Sequence, residues 1–270
     1  MLLITGASGG LGGLIAERLA GRDDVLTGTR AALPGARRTD FDDPASLPEA
    51  FAGVDTLLLV SAGYGEDDTV VARHEAAVSA AEKAGVRHVV YTSLAAPGDH
   101  LPYALAHRWT ERRLRASALS WTVLRNGLYA ELLAHLAAPG ADGRITAPLG
   151  TGRLAAVARE DLADIAARVA LDPAAHAGRT YELVGEHALG GAELAAATST
   201  AYEPGTLAGA RAALAASGAE PFQVPMLVGT YSAIAHGFLG ATDTGELRHL
   251  LGRAPKPAIE VYAAAVREQE

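Results

Sequence analysis

The chain opens on three consecutive apolar residues, Leu2, Leu3 and Ile4, and then changes period. From Leu11 the apolar positions fall at Leu11, Leu14, Ile15 and Leu19, with Glu17, Arg18 and Arg22 between them. A short unbroken apolar run is the pattern of a strand covered on both faces, and the second spacing puts one apolar stripe along a helix. The alternation continues. VLTGT at 25–29, TLLLVS at 56–61, HVVYTS at 88–93 and WTVLRN at 121–126 read as strands. Helices are predicted through Val70, Val71, Ala77, Val78 and Ala81, and over about 102–117. Strand alternating with helix predicts an α/β fold, a Rossmann-like doubly wound parallel sheet.

After Asn126 the regularity fades, and Pro139-Gly140, Asp142-Gly143 and Pro148-Leu149-Gly150 mark turns. Residues 160–172 predict one more helix and 179–185 one more strand, while the rest is alanine-rich and helical in pattern. The expected organisation is a sheet domain over 1–127 and a smaller, mostly helical C-terminal lobe over 128–270, laid over the carboxyl end of the sheet. Segments at about 155–185 are expected to return to the core.

With 270 residues, 49% of them hydrophobic, the chain can bury a full core. No apolar run reaches bilayer length and no charged leader with a cleavage pattern is visible, so a cytoplasmic protein without a membrane partner is expected. The formal charge of −8 argues against a nucleic-acid partner, which needs a concentrated basic surface. The absence of cysteine excludes disulfides, thiolate metal sites and a cysteine nucleophile. His100, His107 and His135 stand at no metal-ligand spacing, so no metal is expected. Ser8 and Ser93 lack the G-x-S-x-G setting of a nucleophile elbow.

Gly6, Gly9 and Gly12 sit where the first strand turns into the first helix. There the leading backbone N–H groups of the helix are unpaired and its dipole is positive, a site for phosphate where no side chain intrudes. Gly6 permits the turn, Gly9 lets a pyrophosphate lie on the backbone, and Gly12 brings helix and strand close. The spacing is G-x-x-G-x-x-G, one residue longer than the dinucleotide fingerprint. Ligands of such sheets bind beyond the carboxyl ends of the strands. Those ends are the glycine loop, Arg30, Asp40-Phe41, Ser61-Ala62-Gly63, Thr92-Ser93 and Arg125-Asn126-Gly127. An acidic residue after the second strand would bind a ribose diol, whereas the Arg30 guanidinium suits a 2′-phosphate, with Arg37 and Arg38 near the third strand.

TGASGGLG, the arginine after the second strand, TDFDDPASLPEAFAGVDTLLLVS, AGVRHVVYTS, WTVLRNGLY, AGRTYELVG and GELRHLLGRAP together resemble the NmrA-like branch of the atypical short-chain dehydrogenase/reductases. Within it the chain is most similar to type-2 NADPH quinone oxidoreductases and triphenylmethane reductase. The resemblance implies NADP(H) held by Gly6, Ser8, Gly9, Gly10, Leu11 and Gly12, with Arg30 on the 2′-phosphate. It implies Asp40 and Phe41 beside the adenine, Ser61, Ala62 and Gly63 along the ribose, and Thr92, Ser93 and Asn126 beyond strand ends flanking the nicotinamide. Asp42 and Asp43 read as solvated caps before a helix that Pro44 begins.

Short-chain dehydrogenases carry Y-x-x-x-K, whose spacing puts phenol and ammonium on one helix face. Here the run is Tyr103-Ala104-Leu105-Ala106-His107, and the lysine is absent. A neutral imidazole can hydrogen-bond a ribose but does little to acidify a phenol. By the resemblance His107 faces the cofactor, and His107, Tyr103 and Asn126 are the catalytic candidates. Arg125 is expected to pair with a carboxylate, and Tyr129 and residues 97–103 to line an aromatic slot. The missing lysine would cripple an alcohol dehydrogenase more than a quinone reductase, whose product phenolate takes its proton from water. The expected function is NADPH-dependent hydride transfer to a quinone or similar conjugated aromatic acceptor, by a monomer or homodimer. An NADP(H)-binding redox-sensing regulator without turnover is the alternative, and an epimerase or dehydratase would need the tyrosine–lysine pair.

Overall fold

The computed structural model describes residues 1–31, 34–62, 64–243 and 245–269. Its first half alternates as β1 (Leu2–Ile4), α1 (Gly10–Arg18), β2 (Val25–Thr29), β3 (Ala36–Arg38), α2 (Leu47–Ala50), β4 (Thr56–Leu59), α3 (Asp67–Ala84), β5 (His88–Leu94), α4 (Ala104–Arg115) and β6 (Ser120–Asn126). There follow α5 (Ala130–Leu136), β7 (Arg144–Ile145), β8 (Arg153–Leu154), α6 (Arg159–Leu171), β9 (Thr180–Leu183), β10 (Leu189–Gly190), α7 (Gly191–Thr198) and β11 (Ala201–Tyr202). The chain ends in α8 (Leu207–Ala216), α9 (Gln223–Ala235), α10 (Glu246–Leu251) and α11 (Ala258–Arg267).

Seven strands form one sheet in the order β3-β2-β1-β4-β5-β6-β9. Strands β1 to β5 pair in parallel, with Leu3 opposite Leu26 on one side and Leu57 on the other. Hydrogen bonds from Ser120 to Arg87 and from Ala95 to Asn126 run β6 parallel to β5, and those from Val123 to Arg179 and Gly127 to Leu183 do the same for β9. This is the doubly wound order, reversing between β1 and β4, so the glycine loop and the end of β4 are neighbours at the switch point.

The chain divides into two compact units. One comprises Met1–Leu94, Leu105–Arg125 and Leu162–Tyr181, the other Ala95–Ala104, Asn126–Asp161 and Glu182–Glu270. The first is built on a core of Leu3, Leu47, Phe51, Leu57, Leu59, Val78, Val89, Tyr91, Leu114 and Val123, where apolar faces of sheet and helices meet. In the second, α11 packs on α5 and α7, and α8 on α9. The buried hydroxyls of Tyr231 and Tyr262 donate to the Leu136 and Ala137 carbonyls, closing the carboxyl end of α5. Among the described residues no helix is long and apolar enough to cross a membrane.

Several boundaries differ from the sequence reading. The strand expected over 56–61 leaves the sheet after Leu59, and the helix expected from Pro102 begins at Ala104. Pro44 opens a single 3₁₀ turn, Pro44–Ser46, which no side chain caps. The Asp43 carboxylate instead pairs with Arg38 at 2.8 Å, and that of Asp42 with Arg73 at 2.6 Å, so neither side chain caps the turn.

Candidate active site

The glycine loop is shaped by what each position excludes. Gly6 sits at φ +64°, left-handed backbone that strains any side chain. The Gly9 amide donates to the Gly6 carbonyl at 2.9 Å, and Ala7 donates to Gly28 at 3.1 Å, which ties the loop to β2. A Cβ on Gly12 would lie 2.2 Å from the Gly6 carbonyl oxygen, so α1 can lie this close only with glycine there. The cap residue of α1 is Gly9, without a side chain, and the first turn carries no acid. Its amide end therefore stays open to an anion. Ser8, Gly9 and Gly10 are exposed, while Leu11 is buried, so Leu11 has its backbone alone to offer a ligand.

The basic residues beside this loop divide by what they touch. Arg30, the residue after β2, is exposed and makes no hydrogen bond or ion pair among the described residues. Arg37 donates to the Ala50 and Ala52 carbonyls at 2.7 and 2.8 Å, capping the carboxyl end of α2, and Arg38 pairs with Asp43. Both serve the fold. Hydrogen bonds from Arg73 hold the Asp42 carboxyl below the usual carboxylate range, with the Arg30 charge adding to the effect. Asp40 accepts from the Asp42 amide at 3.1 Å, and Phe41 packs against the core of its own unit. An open amide end with an unengaged guanidinium nearby fits a pyrophosphate and a second phosphate.

Beyond Leu59 three consecutive amides leave the sheet ladder, and each is caught by a side chain from a different element. Val60 donates to Thr5 Oγ1, Ser61 to Thr92 Oγ1 and Ala62 to His74 Nε2, each at 3.0 Å. Thr5, Thr92 and His74 are all buried. Because an amide can only donate, His74 accepts at Nε2 and carries its hydrogen on Nδ1. That hydrogen goes to Thr110 Oγ1 at 2.7 Å, and Thr110 donates in turn to the Ala106 carbonyl at 2.8 Å. Burial holds the His74 pKa down at about 3, so the ring is neutral. Sequence reasoning missed Thr5 and His74, and did not foresee that Thr92, expected beside a ligand, also accepts from the Ser61 amide. Gly63 lies outside the described residues.

The carboxyl end of β5 and helix α4 hold the titratable groups. Tyr91 Oη lies 2.9 Å from His107 Nδ1, and burial, helped by the Arg108 charge, lowers His107 to about 4. Ser93 donates to the buried Glu111 at 2.7 Å and accepts from Arg108 at 3.3 Å. Arg108 and Arg125 also reach Glu111 at 2.7 Å, the carboxylate partner expected for Arg125. Burial opposes ionisation of Glu111, but the hydrogen bonds from Arg125 and Ser93 and the charges of Arg108 and Arg125 outweigh it and hold the carboxyl at about 2.

Tyr103 precedes α4, and its hydroxyl lies 3.1 Å from Thr230, which gives its own hydrogen to Met226, so the phenol donates. Burial pushes Tyr103 up to about 12, against a small pull from Thr230. Asn126 Oδ1 is buried without a hydrogen-bond partner among the described residues, while the Tyr129 hydroxyl meets the Asn126 side chain. It is an open acceptor.

Residues 6–173 match the family described as NAD(P)H-binding. The chain is 37% identical to quinone oxidoreductase 2 of Escherichia coli over 211 residues, 73% of this chain and 72% of that one. It is 28% identical to an NAD(P)H azoreductase of Xenophilus azovorans over 74% of this chain and 73% of the relative. The crystal structure of Citrobacter sp. triphenylmethane reductase complexed with NADP(H) superposes with TM-score 0.88 at 29% identity, covering 98% of this chain and 99% of that one. With its glycine cradle and sheet order, the chain belongs to the NAD(P)H-binding family.

Proposed function

We propose that this chain, an NAD(P)H-dependent reductase, transfers hydride from NADPH to a quinone or similar conjugated aromatic acceptor. One observation carries the finer reading: Ser93 and Tyr103, two hydroxyls expected at the reacting end, already give their protons within the protein. Ser93 donates to Glu111 and Tyr103 to Thr230. A ketone needs a proton where charge gathers on its oxygen, and a positioned acid supplies about 10²–10⁴ in rate. A conjugated acceptor spreads that charge over its ring system and takes the proton from water. The relatives named for quinone, azo and triphenylmethane reduction fit acceptors of this kind.

NADPH supplies the hydride when bound. The residues that would hold it are the glycine loop for the pyrophosphate, Arg30 for the 2′-phosphate, and Asp40 with the Phe41 edge toward the adenine. Ser61 and Ala62 would lie along the ribose, and His107 would hydrogen-bond a ribose hydroxyl. Positioning, more than proton transfer, is then the protein's part.

Spectrophotometric NADPH oxidation with a panel of quinones and one simple ketone tests this. Quinones should turn over and the ketone should not, and Tyr103→Phe should change quinone turnover by less than about threefold, far below the loss of a general acid. Tight dinucleotide binding without oxidation by any quinone would favour the regulator. A large, equal loss for Tyr103→Phe on both substrate types would make tyrosine the proton donor.

A further inference from the structure

A buried hydroxyl has to give its proton to an acceptor, because an orphaned donor in the interior costs about 1–3 kcal/mol. Tyr91 is fully buried on β5, and His107 Nδ1, at 2.9 Å, is the hydrogen-bond partner of its phenol among the described residues. The Thr110 and Ser61 hydroxyls also face the phenol oxygen. Thr110 has no hydrogen to spare, since it donates to Ala106 and accepts from His74. Ser61 Oγ stands 3.5 Å from His74 Nε2, but the Ala62 amide already occupies that lone pair at 3.0 Å, so the Ser61 hydrogen goes to the phenol and the phenol's own hydrogen is left for Nδ1. The Tyr91 ring lies edge-on to His74, centroids 5.5 Å apart, and tilted against His107 at 6.1 Å, so it has no freedom to swing to another acceptor.

A neutral imidazole that accepts at Nδ1 carries its hydrogen on Nε2. We propose that Tyr91 is a positioning residue that holds His107 in the Nε2–H tautomer, so that His107 offers a ligand a hydrogen-bond donor and not a lone pair. The half-buried His107 makes no other hydrogen bond among the described residues, so its Nε2–H is available. Two consequences follow from the chemistry. His107 reproduces the donor character of the missing lysine without its charge, and it cannot take a proton from a ligand at Nε2. The two neutral histidines beside Tyr91 thus have opposite tautomers, Nδ1–H at His74 and Nε2–H at His107. That the ligand is a dinucleotide rests on the proposed function. The tautomer does not.

The test is a ¹⁵N correlation spectrum of the histidine side chains in the ligand-free protein at about pH 7.5, above the unperturbed histidine range. The His107 resonances are assigned by their loss in His107→Gln. The expected result is a protonated Nε2 and bare Nδ1 on His107, with the reverse on His74. Tyr91→Phe keeps the ring and removes the donor. His107 should then lose its single-tautomer pattern, and NADPH and NADH affinities should both fall about tenfold, by the same factor. A protonated Nδ1 on wild-type His107 overturns the proposal, and so does a Tyr91→Phe protein with both spectrum and affinities unchanged. Should Tyr91→Phe fail to fold, the wild-type spectrum decides alone. A wild-type protein that shows the expected tautomers yet binds neither dinucleotide sinks the functional reading and leaves the tautomer standing.

Discussion

Arg30 and its neighbours Arg37 and Arg38 have the same guanidinium, and what separates them is the supply of nearby acceptors. Arg37 meets two carbonyls at the end of α2 and Arg38 meets Asp43, so their charge is spent on the fold. Arg30 meets none among the described residues and stands exposed after β2, the position from which a cofactor's 2′-ribose group is read. Arg30→Ala should therefore weaken NADPH at least tenfold, about 1.4 kcal/mol, and leave NADH nearly untouched. Titration of both cofactors into both proteins measures it, and an unchanged NADPH-to-NADH ratio would remove Arg30 from the site. At this scale some residues are legible in sequence and some are not. Gly6 and Gly12 are, because a left-handed turn and a 2.2 Å approach leave only glycine. The division between Arg30 and Arg37 is not, because it depends on where α2 happens to end.

Among the elements, the alternation of apolar runs gave away nearly every strand and helix of the sheet, since a strand buried on both faces has few other spellings. Their ends were harder to see. β4 stops at Leu59 because the next three amides find better acceptors than a neighbouring strand, and those acceptors, Thr5, Thr92 and His74, are scattered over 88 positions of sequence with no shared spacing. His74 is a polar residue on the buried stripe of α3, between Val70 and Val78. His74→Leu would fill the volume but orphan the Ala62 amide, which costs about 1–3 kcal/mol of stability. It should also release the backbone that passes the expected ribose, lowering NADPH and NADH affinity by a common factor, in contrast to Arg30→Ala. Calorimetric titration beside thermal unfolding separates the two effects, and a drop in stability with unaltered affinity for both cofactors would confine His74 to the fold.

Across the molecule one arrangement recurs: a ring donor gives its hydrogen to a threonine that passes its own to a backbone carbonyl. His74 uses Thr110 and Ala106, His88 uses Thr122 and His176, and Tyr103 uses Thr230 and Met226. The arrangement gives a buried ring a hydrogen-bond partner without charging it. Burial lowers His74 to about 3 and His88 and His107 to about 4. In the unfolded chain all three titrate near 6.5. Between those limits the unfolded state binds more protons than the folded state, so stability rises with pH there and falls on acidification. The loss should begin as pH drops below 6.5, and near pH 5 it should approach about 4 kcal/mol per pH unit for three histidines, at about 1.4 each. Glu111 enters later. Its folded value near 2 lies below the ordinary carboxylate, so its stabilisation is full above about 4.5 and fades only as pH falls toward 2. Unfolding free energies from urea titrations at about pH 7.5, 6 and 5 test the sequence of events. His88→Gln, distant from the expected cofactor residues, should lower the slope between pH 6 and 5 by about one proton's worth, roughly 1.4 kcal/mol per unit. A stability flat from pH 7.5 to 5 would mean that these rings take up protons in place, and that burial does not hold them neutral.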